Sequence, residues 1–407
     1  MRGDVRAEGL RRAAGIALHA VWALPAVLLL RLLRPLVLVR AGMIESSRIG
    51  HFVGDTSLFL ARKSLRQKRP RIVDIFWMPS PPANEQWARM TRRRLFVKGW
   101  VRYLVALNRR LPGGAIHHLS SPTMSGSRLE YTALRLSTER FTFTPDEEHR
   151  ARAWLRRRSW KEGEPFVCLQ VRDSAYLARH PLHASSEPGR WAYHDYRDSD
   201  INTYAEAVEA LIRRGYWVIR MGQLVNQPLS VQHPRVIDYP FMDDKDDLLD
   251  IWLSLNCRFF ISSGSGIDIL PWVYGVPVVF VNALPLIFAA TQINHVWVPK
   301  HLRWKNSGKP LSLREHGIHG YGEAGDYAAA GIEIQDLSPA EITAAVLELE
   351  ERVARSWKDS PEGVARQRRY WDVFSAMPGF AGFHDYVHPD ARVGADWLRS
   401  MGDSFLD

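Results

Sequence analysis

The sequence predicts an α/β protein of two domains. Short apolar runs of strand character recur along the chain, separated by stretches of helical period. The stretch from Phe259 to Val281 reads as buried strand, small-residue loop, helix, Gly-Val-Pro turn and buried strand, which is the repeating unit of a parallel sheet. A length of 407 residues exceeds one ordinary core and suggests a second.

Composition narrows the class. With 46% hydrophobic and 24% charged residues the chain is globular. Its two cysteines, Cys168 and Cys257, fall in apolar segments and read as reduced core residues, so neither a disulfide framework nor a cysteine zinc site is indicated. The net charge of +10 implies anionic partners. Clusters such as Arg92-Arg93-Arg94, Arg109-Arg110 and Arg156-Arg157-Arg158 come without a zinc-knuckle spacing, an aromatic RNA-binding repeat or a basic region leading into heptads. Nucleic acid is therefore not the expected partner. A solvated face or an anionic membrane surface is.

In chain order, the most apolar segment, Ile16 to Val39, is interrupted by Pro25, Arg31, Arg34 and Pro35 and is too broken to span a bilayer. Residues 1–45 suit an amphipathic segment lying in an anionic interface, with a packed helix and a cleaved signal as the alternatives. Arg48 to Asp55 reads as a short strand entering a glycine-rich turn, before a helix at Leu58 to Arg62. Ile72 to Phe76 is a strand, Asn84 caps a helix Glu85 to Leu95, a helix covers Gly99 to Arg110, and Ala115 to Leu119 is a third strand. This gives a first domain over 46–145. A basic helix within 146–163 reads as the connection to a second domain over 164–356, and 357–407 as a helical tail.

In the second domain, Pro165 to Val171 is a strand with Arg172, Asp173 and Ser174 at its carboxyl end, where parallel sheets bind ligands. His180 to Asp200 is long and without period, as lids and binding loops are. Asp198 or Ser199 caps the next helix, and Tyr216 to Gly222 is a strand that ends in Arg220 and Gly222. A helix opened by Asp243-Asp244 follows, and Ser338-Pro339-Ala340-Glu341 is a capping box.

The loop Ser262-Ser263-Gly264-Ser265-Gly266, with Asp268 just beyond, has the glycines, hydroxyls and helix-opening N–H groups that let backbone approach an anion; a tight turn is the alternative. It is neither a P-loop nor a dinucleotide fingerprint. If the three strands share one sheet, Arg172 and Arg220 converge with it, as a diphosphate leaving group requires; each arginine could equally be in an ion pair. Asp198-Ser199-Asp200 follows no strand, so capping explains it better than metal ligation, and the histidines show no zinc spacing. No metal is expected. His51 and Asp55 are the candidate general base, with a packed histidine and a helix cap as alternatives. Asn84 and Gln86 are candidates for acceptor contact.

Four blocks, Arg48 to His51, Cys168 to Leu177, Asp195 to Gly222 and Ser263 to Asn282, together resemble a family of bacterial glycosyltransferases of surface-polysaccharide synthesis. Val171-Arg172-Asp173 more distantly resembles the arginine motif of fucosyltransferases that use GDP-sugars, although Asp173 stands where those have a second basic residue. The resemblance implies two Rossmann-like domains facing a cleft, the GT-B architecture. It also implies a nucleotide-sugar donor, a glycan or lipid-linked acceptor, no separate cofactor, and a cytoplasmic location on the inner face of the membrane. A catalytically inactive nucleotide- or sugar-binding scaffold is the alternative.

Overall fold

A computed structural model describes residues 19, 21–66, 71–119, 131–181 and 189–407, and the description here covers those residues. The chain divides into two compact units, Met1–Ser125 with Leu136–Thr142, and Gly126–Arg135 with Phe143–Asp407. Both are α/β units built on a parallel sheet, the class expected from the sequence.

The first unit carries β1 (Leu38–Met43), β2 (Ile72–Trp77), β3 (Phe96–Val97) and β4 (His118–Leu119) in the order β3-β2-β1-β4, all parallel. β1 pairs with β2 from Leu38↔Ile72 to Met43↔Trp77. This corrects the boundary drawn at residue 46, because the end of the supposed interfacial segment is an inner strand. Pro35 ends the preceding helix, and Val37 to Val39 then suit an extended chain. Gly42 completes the fit, since a Cβ there would lie 2.5 Å from the Leu119 carbonyl oxygen on β4. Residues 21–32 are helical and turn Ala23 and Val27 onto Ala41, Ile75, Val101 and Leu104. No helix among the described residues is long and apolar enough to cross a membrane.

A second correction falls on Arg48 to Asp55. There is no strand there; helix Ile49–Leu65 begins directly after Arg48. Residues Phe52 through Ala61 are all buried, so no polar face marks the helical period, and Gly50 and Gly54 mimic turn residues. Burial outweighs the roughly 1 kcal/mol that each glycine costs inside a helix.

The second unit carries β5 (Phe166–Gln170), β6 (Trp217–Arg220), β7 (Val236–Asp238), β8 (Phe260–Ser262), β9 (Val278–Val281), β10 (His295–Val298), β11 (His301–Trp304), β12 (Ile332–Gln335) and β13 (Arg392–Val393). The order β13-β10-β9-β8-β5-β6-β7 forms one parallel sheet, and β11 pairs antiparallel with β12 beside it. The inner strands β5, β8 and β9 are buried along almost their whole length, as their unbroken apolar runs require.

Two expected appendages belong to this core. Helix Pro145–Arg156, capped by the reciprocal bonds of Thr144 and Glu147, buries Ala151, Trp154 and Leu155, so it is a layer of the second unit and not a free connection. The segment 357–407 is likewise no tail. Helix Pro361–Ser375 buries Tyr370, Trp371 and Phe374, β13 pairs with β10, and Trp397, Leu398, Phe405 and Leu406 close the cluster. A strand of two residues is too short to leave a period in the sequence.

Candidate donor-phosphate site and candidate base

β5 lies between β8 and β6, so the residues that leave these three strands stand side by side at one edge of the sheet. In open parallel sheets this carboxyl edge is where ligands bind. Ser263 ties two of the ends together: its N–H donates to the Gln170 carbonyl at 3.1 Å, and its Oγ accepts the Arg172 N–H at 2.8 Å. Gly264 sits at φ +84°, a backbone conformation suited to glycine.

The loop closes around a carboxylate of its own. Ser262 Oγ donates to Asp268 Oδ2 at 2.8 Å, the Ser265 N–H donates to the same oxygen at 2.7 Å, and the Gly264 N–H donates to Ser262 Oγ at 3.0 Å. Burial raises the pKa of Asp268 to about 6, against the pull of the Ser262 and Ser265 bonds and of Arg197 and Arg172. Ser262 and Asp268 therefore shape the loop, which is less open to an anion than its composition suggested. Gly266 begins the short 3-10 turn Gly266–Asp268 that leads into helix Ile269–Tyr274, whose end is marked by Gly275 at φ +74°.

Two guanidinium groups flank this loop. Arg172 is largely buried, and its Nε donates to Asp198 Oδ1 at 3.1 Å. Arg197 was not singled out in the sequence. Its Nη2 donates to the Gly264 carbonyl at 2.8 Å, while its Nε is sealed from solvent and has no hydrogen-bond partner. Burial lowers the pKa of Arg197, and the neighbouring charge of Arg172 acts in the same direction. Lys300, also missed, is 3% exposed and fully engaged, donating to the Asp198 carbonyl at 2.6 Å and pairing with Asp336 at 2.7 Å. The only sequence signal for Arg197 was its place in the aperiodic segment 180–200. The 3-10 turn Ala192–Arg197 is what brings it to Gly264.

Asp198-Ser199-Asp200 has structural duties. Asp198 is the counter-ion of Arg172, and the Ser199 N–H donates to the Arg172 carbonyl at 3.0 Å. Asp200, in place of the expected Asp198 or Ser199, caps the turn Ile201–Tyr204.

Arg220 stands at the end of β6 as expected, but its side chain is committed elsewhere. It is 1% exposed, and Nη1 donates to the Gln227 carbonyl at 2.7 Å and to Asp238 Oδ1 at 3.3 Å. Asp173 accepts the N–H groups of Ala175 and Asn226, each at 2.8 Å, and Ser174 Oγ accepts from Asn226 Nδ2 at 3.2 Å. Gly222, at φ +137°, turns the chain into the same segment. These four residues thus fasten the 222–229 loop to the sheet edge. The expected convergence of Arg220 on the 262–266 loop is corrected: an uncompensated guanidinium at a buried strand end would be costly, and Asp238 on neighbouring β7 is its partner.

In the first unit, β1 leads through Ile44 to Arg48 into helix Ile49–Leu65. The loop is tied to the one after β2, Ser46 Oγ donating to the Pro79 carbonyl at 3.0 Å and the Ala83 N–H to the Ser46 carbonyl at 2.7 Å. His51 and Asp55 are one helical turn apart on this helix and not in a turn. Asp55 is 3% exposed, and both carboxylate oxygens are sealed from solvent without a hydrogen-bond partner. Burial, reinforced by Glu45 and opposed by Arg62, raises its pKa to about 7. Burial and Arg48 lower that of His51. Asn84 is 2% exposed and accepts the Trp87 N–H at 2.8 Å as a helix cap, and the fully buried Gln86 accepts from Arg89 at 2.7 Å. Both face inward, so neither offers itself to an acceptor.

The sequence matches no protein-family model and no curated protein. Among solved structures it is similar to a glycosyl transferase family 9 protein from Veillonella parvula DSM 2008, at 11% identity over 65% of this chain and 86% of that one, with a TM-score of 0.38. It is also similar to the E. coli ADP-heptose lps heptosyltransferase II, at 12% identity over 60% and 84%, TM-score 0.35. A third is the E. coli heptosyltransferase WaaC with ADP, at 12% over 64% and 90%, TM-score 0.29.

Proposed function

We propose that this chain is a GT-B-type glycosyltransferase that moves a sugar from a nucleotide-sugar donor to a glycan or lipid-linked acceptor in bacterial surface-polysaccharide synthesis. The observation that carries the reading is the pair Arg172 and Arg197 on the Ser263–Gly264 loop, at the carboxyl edge of a parallel sheet. A partly buried guanidinium with one hydrogen-bond partner and a sealed, unpartnered Nε calls for an anion. A diphosphate meets that need, and it gains negative charge as its bond to the sugar breaks, which is when preorganised donors stabilise it most. Two guanidinium groups supply the positive charge, so the reading uses no metal ion.

Asp55 of the first unit, its pKa raised to about 7 by burial, titrates where a general base works, but its sealed carboxylate offers itself to an acceptor hydroxyl no more than Asn84 or Gln86 does, so the reading rests on the donor site alone. In this reading the protein works in the cytoplasm, at the inner face of the cytoplasmic membrane.

Thermal shift with ADP, GDP, UDP, CMP and dTDP tests the donor site, because a ligand of the folded state raises its stability. One nucleotide should stabilise the wild type, and Arg197→Ala should diminish the effect. No stabilisation by any nucleotide, or an undiminished shift in both Arg172→Ala and Arg197→Ala, overturns the assignment.

A further inference from the structure

The first unit carries a surface that the donor and base sites leave unexplained. On helix 21–32, Val21 is 80% exposed and Leu32 76%, with Leu24 and Leu28 exposed at helical spacing between them, while Ala23 and Val27 face the core. Leu36, 78% exposed, continues the stripe beyond the helix. An apolar run of this kind has a partner in its working state.

Aromatic rings join this helix to helix Val101–Asn108. Trp22 meets Trp100 edge-on at 6.1 Å and Tyr103 at 6.3 Å, and Trp100 meets the exposed Phe96 at 6.1 Å. An apolar pocket of about 510 Å³ opens between the two helices, lined by Trp22, Ala26, Leu29, Leu30, Trp100 and Leu104 among others. The charge around it has one sign. Neither 21–44 nor 96–119 contains an Asp or Glu. Arg34, Lys98, Arg102, Arg109 and Arg110 are exposed, and among the described residues none of them is in an ion pair.

These features select the partner. A second copy of the chain meeting this face about a two-fold axis would set cation against cation with no carboxylate to answer them. An anionic lipid surface answers all three features: acyl chains for the leucine stripe, the headgroup level for Trp and Tyr, and negative charge for the basic rim.

We infer that this face docks on an anionic bilayer and that the pocket between helices 21–32 and 101–108 receives one hydrocarbon chain of a bound lipid. The inference stands on this surface alone and holds whether or not the chain transfers a sugar.

The test is flotation of the full chain with phosphatidylcholine vesicles, with and without phosphatidylglycerol. The protein should float with the anionic vesicles and stay behind with the neutral ones. Leu28→Glu with Leu32→Glu should abolish flotation without lowering the melting temperature, since both sites are exposed. Arg34→Gln, Lys98→Gln and Arg102→Gln together should weaken it roughly 100-fold at low salt, at about 1 kcal/mol per basic residue. A phosphatidylglycerol with a photoactivatable group in its acyl chain should label peptides within 19–30 and 100–104. Equal flotation on neutral vesicles, no flotation, or flotation unchanged by the glutamates overturns docking. So does a dimer that the glutamates dissociate while flotation persists. Labelling confined to other peptides overturns the pocket.

Discussion

At the scale of single residues, Asp55 and Arg197 are informative because each holds a charge-bearing group the fold leaves incompletely partnered. For Asp55 the sign of the pH effect follows from its raised pKa of about 7 against an ordinary value of 3.8. Between those two values the folded state binds more protons than the unfolded, so stability falls as pH rises from about 4 to about 7 and is level above that. Asp55→Asn removes the burden of ionising a buried carboxylate. It should stabilise the protein by roughly 1–3 kcal/mol at pH 8 and far less at pH 4, as read from denaturant unfolding at the two pH values. If Asp55 is the base, kcat/KM of the wild type rises with pH through about 7, and the variant loses that limb together with about 100-fold or more of the rate. For Arg197, replacement by alanine should weaken nucleotide affinity by roughly 10–100-fold with little change in melting temperature, since charge-assisted bonds to a bound anion are lost while the fold keeps its core. Isothermal titration with the nucleotide found by thermal shift measures this. Asp55 entered the sequence reading through a strand and turn at Arg48 to Asp55 that the structure replaces with a helix; Arg197 did not enter it, because nothing in an aperiodic segment says which of its residues turns inward.

At the scale of elements, the 262–266 loop shows how far local composition reaches. Its glycines and serines announced a backbone able to bend close to a ligand, and Gly264 does take a positive φ. What they did not announce is that Asp268 turns back and occupies the Ser265 N–H and the Ser262 hydroxyl. Gly264→Ala should destabilise the fold by about 1–2 kcal/mol through the left-handed backbone alone. By moving the carbonyl that holds Arg197, it should also raise the nucleotide Kd more than its effect on stability explains, which chemical denaturation and titration of the same variant separate. Helix Ile49–Leu65 is the opposite case. Its period was hidden because nearly every side chain along its middle is buried, no side chain caps its start, and two glycines imitated a turn.

At the scale of the whole molecule, the second unit extends to the last residues of the chain. β13 pairs with β10 through Val296↔Arg392 and Trp297↔Val393, and Trp397, Phe405 and Leu406 lie in the core. Deleting 391–407 should therefore uncover that core and unfold the second unit, seen as loss of the cooperative melting transition and appearance of hydrophobic-dye binding. Removal of a true surface tail would leave both unchanged. The first unit likewise starts earlier than residue 46, with helix 21–32 and β1 inside its contacts.

The amino-acid sequence by itself determined the α/β class, the inner strands of the second sheet, the helix caps at Asn84 and Ser338, and the strand-loop-helix unit from Phe259 to Val281, because each depends on neighbours in sequence. Tertiary structure alone decided which charges stand together. Arg220 and Arg172 end adjacent strands, yet Asp238 on β7 claims the first, and a turn near residue 197 brings a different arginine to the second. The physical reason is that a buried charge is governed by the partner the fold places beside it, and such partners are distant in the chain.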